Sequence, residues 1–278
     1  MKLDRREFLE AIKSKDVSLV NSLITAELAK CQDDDGTPML TLASSLGLIE
    51  ICKILLDHGA DLETASPETG ITPLLASAKN GHLDVYNFLV EKGALETACD
   101  AQGNSPLHLA ASNGHVDMCK ILPMEDLNSK NSKGATPLIL ATKEGHHEVC
   151  RMLIEKGADM SIVDTSDKSA LMHAAWFGDL KMSSLLIENH ADVKQEEGNR
   201  TALHYACRAD SEEVVKLLLR EGADPTAGGV WTPLHVAAGY AGPGVAASLL
   251  DAGADINAVS IASVRLRLLW LTQRHVSG

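Results

Sequence analysis

The chain has 278 residues, 45% of them apolar and 23% charged, the composition of a soluble folded protein long enough for two domains. A formal charge of −13 argues against a nucleic-acid partner, because phosphate binding needs a basic surface. The charged opening "MKLDRREFLE" and the lack of any run of 18 apolar residues argue against a signal peptide and a membrane span, so the expected address is the cytoplasm or nucleus.

Along the chain seven stretches recur: "GTPMLTLASSLG", "GITPLLASAKNG", "GNSPLHLAASNG", "GATPLILATKEG", "DKSALMHAAWFG", "NRTALHYACRAD" and "VWTPLHVAAGYA". Each places a leucine at one position, Leu40, Leu74, Leu107, Leu138, Leu171, Leu203 and Leu234, at intervals of 34, 33, 31, 33, 32 and 31 residues. Thr72-Pro73, Ser105-Pro106, Thr136-Pro137 and Thr232-Pro233 each read as a helix start. The hydroxyl caps free backbone N–H groups, and proline suits the first helical position. Ser169-Ala170 and Thr201-Ala202 keep the cap without proline; in the first unit Pro38 falls on the cap position itself and leaves the helix start open.

The short helix stops at Gly47, Gly81, Gly114, Gly145 or Gly178, where a left-handed turn needs no side chain. Asp210 and Ala241 take that place in units six and seven, and Gly242 is expected to shift the seventh turn by one residue. A second helix with helical apolar spacing runs to Gly59, Gly93, Gly157, Gly222 or Gly253, or to His190 in the fifth unit. In the third unit Pro123 is expected to end it early. A polar extended finger then leads to the next cap. No unit buries its apolar face alone, so the units must stack.

The elements "TPLH.AA..GH" and "LL..GAD", clearest at residues 105–115 and 217–224, resemble ankyrin repeats from about residue 33 to residue 259. The resemblance implies an all-α solenoid of stacked helix-turn-helix units with short extended fingers, and a protein-binding role for its concave side. Residues 7–24, "EFLEAIKSKDVSLVNSLI", are similar to a degenerate unit with charged outer positions, as a capping repeat meeting water requires. The expected organisation is therefore a solenoid over 1–259. It has a cap at about 2–32, seven repeats starting near 34, 69, 102, 133, 166, 198 and 229, and an irregular tail at 260–278.

The repeat also explains the residues that look reactive. Cys52, Cys119 and Cys150 share a position with Val215, which makes them core thiols rather than metal or redox groups. His108, His204 and His235 follow the cap triplet, while His82, His115 and His146 follow turn glycines. The resemblance implies that these rings bond to backbone between units. Equivalent residues lie about a helix-packing distance apart, roughly 10 Å, too far to share a metal ion. His146-His147 reads as a surface pair, and no nucleophile with its base is apparent. No catalytic residue, cofactor or metal is expected.

Because the repeats align one another, exposure can be read by equivalence. The two places before the turn hold Lys79-Asn80, Ser112-Asn113 and Lys143-Glu144, residues seldom buried unpaired. In the last three units they hold Trp176-Phe177, Arg208-Ala209 and Gly239-Tyr240. A second row, just before the cap, reads Thr37, Ile71, Asn104 and Ala135, then Lys168, Arg200 and Trp231, and is also expected to be exposed. The chain has only nine Trp, Phe and Tyr, so placing four of them on one solvent face suggests a binding surface. The alternative is self-coverage, with Trp176 stacked on Arg208 and the tail over the rest.

The expected function is a non-enzymatic scaffold or adaptor, monomeric by itself, that binds a protein partner mainly through repeats five to seven. The contact residues would be Trp176, Phe177, Arg208, Tyr240, Lys168, Arg200 and Trp231. The rival is the recognition arm of a larger enzyme, such as a kinase, ubiquitin ligase or acyltransferase. Residues 260–278 hold three arginines and no acid, so the preceding chain carries −16, and a partner steered by that charge would be basic. The tail reads as an improvised cap, a non-native or truncated end, or a basic membrane-binding helix. Finger asparagines of ankyrin proteins can be hydroxylated, and the resemblance implies Asn257, in "LLDAGADINA", as a candidate.

Overall fold

A computed structural model describes residues 2–258; the tail 260–278 lies outside the described residues. The described residues are helical, with isolated β-bridges only at Gln32–Pro38 and Glu197–Arg200. The chain divides into two compact units, Met1–Leu140 and Ala141–Gly278.

The first unit opens with helices Lys2–Lys13 and Val17–Leu23, whose apolar side contributes Phe8, Ile12 and Val20 to the core. Pro38, already in an extended conformation, ends the loop, and helix Met39–Ser45 starts directly after it without a side-chain cap. Helix pairs Pro73–Asn80 with Leu83–Glu91, and Pro106–Ser112 with Val116–Ile121, follow. Thr72 caps the first by accepting from the Leu75 N–H at 3.3 Å. Leu40, Leu74 and Leu107 are all buried, as the repeat requires.

Neighbouring pairs are joined by histidine, since a ring N–H reaches where an aliphatic side chain leaves a carbonyl unpaired. His82 Nε2 donates to the Ser45 carbonyl at 3.0 Å, and His115 Nε2 to that of Lys79 at 2.9 Å. The fingers are closed by one device. Asp100 Oδ1 accepts from the N–H groups of Gln102 and Asn104, both at 2.8 Å, and Asn131 does the same for Lys133 and Ala135.

Pro123 acts as expected. Helix Val116–Ile121 has six residues where its counterparts have nine, Leu122 turns extended, and a 3₁₀ turn, Met124–Asp126, replaces the lost helical end. Among residues 124–133 only Leu127 and Asn131 are buried, and the stretch should exchange amide hydrogens much faster than 214–219, inside the nine-residue helix Glu212–Arg220. Hydrogen-exchange mass spectrometry would show equal protection if the truncated helix were no weak point.

In the second unit the pairs are His147–Glu155, Ala170–Trp176 with Leu180–Glu188, Ala202–Arg208 with Glu212–Arg220, and Pro233–Tyr240 with Pro243–Asp251. Leu171, Leu203 and Leu234 are buried. Asp210 takes the left-handed turn at φ 55°, as its place in the repeat requires. The seventh turn departs from expectation. Neither Ala241 (φ −111°) nor Gly242 (φ −77°) is left-handed; both are extended, and Gly242 becomes the N-cap of the next helix. Alanine resists positive φ, so the chain avoids it, and the Gly242 N–H is satisfied by Asp210 Oδ1 at 2.8 Å.

Candidate functional site

Five side chains in the second unit form a cluster of alternating rings and cations. Trp176 ends its helix and Arg208 holds the equivalent place one repeat on, so stacking brings them together. The Arg208 guanidinium carbon lies 4.8 Å from the Trp176 ring centre and 4.7 Å from that of Tyr240. Lys168 Nζ stands 5.3 Å over Trp176 and 5.4 Å over Tyr205, whose ring centre is 5.7 Å from that of Trp176 at a 59° tilt. Each cation–π contact at such a site is worth about 0.5–1 kcal/mol, enough to hold an arrangement that solvent would otherwise scatter.

Beside the cluster lies a cleft of about 160 Å³, bounded by Arg200, His204, Tyr205, Arg208, Trp231 and Tyr240. Trp231 stacks on the His235 ring with centres 5.8 Å apart and planes 20° apart. Its backbone carbonyl accepts from His204 Nε2 at 2.9 Å, while His204 Nδ1 accepts from the Thr201 N–H at 3.1 Å. A carbonyl only accepts, so the ring proton sits on Nε2 and the ring is neutral. Burial pushes the His204 pKa down to about 4. The cleft wall is thus set by a buried, fully bonded ring.

Trp176 is 36% exposed, Trp231 42%, and Phe177 and Tyr240 57% each. Trp176, Arg208, Tyr240 and Lys168 share the cluster, Arg200 and Trp231 border the cleft, and Phe177 stands outside both. The row before the cap is not exposed throughout. Asn104 and Ala135 are buried and Thr37, Ile71 and Lys168 half-buried; only Arg200 and Trp231 are open. The next finger covers Asn104, whose Oδ1 accepts from Asn131 Nδ2 at 2.8 Å, while the buried Ala135 bonds through its carbonyl to His108 of the preceding repeat at 3.1 Å.

His146-His147 is likewise half-buried rather than a surface pair, and His147 Nε2 lies 2.9 Å from an Asp179 carboxylate oxygen. Asp179 fills the place that His82 and His115 hold elsewhere, so the ring is supplied from the neighbouring repeat instead. Sequence reasoning missed Tyr205, because its position holds Leu109 and Val236 in other repeats and reads as core; the ring is indeed buried but turns a face to Trp176. Burial pushes the thiols of Cys52, Cys119, Cys150 and Cys207 up to about 12, so they pack as apolar groups. Among the described residues no three His, Cys, Asp or Glu side chains converge as metal ligands, and no helix is long and apolar enough to cross a membrane.

Stability should separate the adjacent aromatics Trp176 and Phe177. Phe177→Asn should change it by less than about 0.5 kcal/mol, while Trp176→Ser should cost about 1–2 kcal/mol through its lost ring and cation contacts. Equal losses in urea denaturation would show that the stack contributes nothing.

A family model described as ankyrin repeats (3 copies) matches residues 8–98, 95–164, 156–229 and 171–260. The chain belongs to the ankyrin-repeat family. Among curated proteins it is 31% identical over 225 residues to the ankyrin repeat and KH domain-containing protein mask-1 of Caenorhabditis elegans, covering 79% of this chain and 8% of that protein. A putative ankyrin repeat protein, L371, of Acanthamoeba polyphaga mimivirus is 30% identical over 195 residues, covering 69% of this chain and 22% of that protein. Neurogenic locus notch homolog protein 1 of Xenopus laevis is 34% identical over 111 residues, covering 38% and 4%. This ankyrin-repeat chain therefore spans less than a quarter of the length of these relatives. Ankyrin repeats in general mediate protein–protein interaction.

Proposed function

We propose that this chain is a non-enzymatic interaction module that holds a protein partner on the face bearing Trp176, Arg208, Tyr240 and the Trp231 cleft. The observation that carries the reading is the exposure of three large aromatics, Trp176, Trp231 and Tyr240, around one arginine, on a chain otherwise poor in aromatics. Trp, Tyr and Arg are the side chains that dominate binding hot spots, because rigid rings bury much area at small entropic cost. Trp176 does stack on Arg208, as self-coverage would have it. Phe177, Trp231 and Tyr240 nevertheless present large apolar area to solvent.

Whether the module works alone or as the recognition arm of a larger enzyme turns on sequence context; its small share of the relatives' lengths accommodates both. The test is quantitative affinity capture with wild type, a Trp231→Ser/Tyr240→Ser variant and a Lys216→Ala control on the second helix of repeat six. Loss of one set of partners from the double variant alone supports the reading. Equal capture by all three contradicts it.

Asn257 is a second, separate proposal, as a modification site. It is exposed in the last described finger, where its N–H is held by Asp255 Oδ1 at 2.8 Å. Peptide mass spectrometry of protein from its native cells would detect one added oxygen there, and its absence with an active hydroxylase present would end the idea.

A further inference from the structure

The proposed contact face carries a charge opposite to that of the chain. Lys168, Arg200 and Arg208 lie within it, and no carboxylate lines the cleft. Among the described residues none of the three is ion-paired, whereas Lys53, Lys120, Arg151 and Lys216 all have a carboxylate within three or four residues of their own helix. The segment 260–278 contains no Asp or Glu to serve them. The overall charge of −13 matters little here, because salt screens beyond about 8 Å and contact-range charges decide what is bound.

Arg208 is held in a particular way. Its guanidinium carbon lies over two rings, at 4.8 and 4.7 Å, which restrain the group, while its N–H edge makes no side-chain hydrogen bond among the described residues. The N–H donors lie in that edge, in the forked geometry that matches the two oxygens of a carboxylate. The adjoining cleft of about 160 Å³ is the size that accepts one benzene-sized group, as an engineered cavity of about 150 Å³ does. Trp231 and Tyr240 make its mouth apolar, with Arg200 at the rim.

Resting on the interaction-module reading, we infer that the occupant is an extended acidic peptide segment of the partner protein. An Asp or Glu carboxylate pairs with the edge of Arg208, and a neighbouring aliphatic or aromatic side chain fills the cleft beside Trp231. Charge alone would send a basic partner to the rest of the chain; this face selects an acidic one. A nucleic-acid strand fits less well, since it needs a continuous basic track to follow its phosphates, and Lys168 is already engaged over two rings.

A display selection of random 16-residue peptides on the full chain, counter-selected on Arg208→Gln, tests this. The expected result is enrichment of Asp or Glu next to Leu, Ile, Met or Phe. In fluorescence anisotropy the best peptide should lose ten- to a hundredfold in affinity when its acid becomes the amide, and about tenfold on Arg208→Lys, which keeps the charge but not the fork. Melting curves of both arginine variants confirm folding. Binding that needs Trp231 and Tyr240 but ignores the peptide's acid overturns the acidic-partner inference and leaves the face standing. Peptides that bind Trp231→Ser/Tyr240→Ser undiminished overturn both. Enrichment of basic peptides, no enrichment over Arg208→Gln, or tighter binding of a 12-residue oligouridine than of any peptide also overturns the inference.

Discussion

Acidification from pH 7 to pH 4 should destabilise this protein by about 3 kcal/mol through its buried histidines, apart from what carboxylate titration adds near pH 4. His204 carries most of the argument: its ring is buried, and burial holds its pKa at about 4 against about 6.5 in the unfolded chain. The fold therefore favours the neutral ring. Its contribution is fully present above about pH 6.5 and is lost as pH falls through the window between 6.5 and 4. Each pKa unit is worth about 1.4 kcal/mol, which gives the figure above for this one residue.

Geometry says the same, since protonating Nδ1 would aim an N–H at the Thr201 N–H that it now accepts. Burial also lowers His108, His173 and His235, which adds in the same direction. Asp159 and Asp224 accept from the Ser161 and Thr226 hydroxyls and are held below the usual carboxylate range, so their loss begins only at lower pH. Urea denaturation at pH 7, 5.5 and 4 measures the fall, and His204→Gln should flatten it. A pH-independent midpoint would show that the rings are not held neutral.

Leu203→Ala should cost about 2–5 kcal/mol, the usual loss for a fully buried leucine whose cavity cannot collapse. Leu203 is fully buried in helix Ala202–Arg208, which packs against the equivalent helices on both sides. In a stack of repeats a defect in an inner unit weakens two junctions, so the melting transition should broaden as well as fall. Leu180→Ala, at a position 37% exposed, is the control and should cost under about 1 kcal/mol. Similar losses from both would mean that the repeat leucine is not the core position its spacing implies.

The periodic part of this molecule was legible because each repeat served as a control for the others. A leucine that returns every 31 to 34 residues has to be core, and a cysteine that alternates with valine has to be packed. Equivalence failed where neighbours, rather than the repeat itself, decide the environment. Asn104 and Ala135 are polar or small and look solvent-facing, yet both are buried, Asn104 against the following finger and Ala135 beside His108 of the preceding repeat. His147 pairs with Asp179 because the histidine stands one position past the usual place and the neighbouring repeat has an aspartate where others have histidine, so the two departures compensate. Tyr205 occupies a core position with a ring large enough to reach the surface cluster. The seventh turn was misplaced because avoiding positive φ at Ala241 took an extended path rather than a one-residue shift.

The contact face itself is tested most directly by photocrosslinking in native cells. Benzoylphenylalanine placed at Phe177 and at Tyr240 substitutes for exposed aromatics and should leave the fold intact, with Lys216 on the second helix of repeat six as the control position. The account predicts that irradiation joins the same protein partner to positions 177 and 240 and to position 216 not at all. Adducts from position 216 alone, or none from 177 and 240 while the unmodified chain still captures its partner, would contradict it.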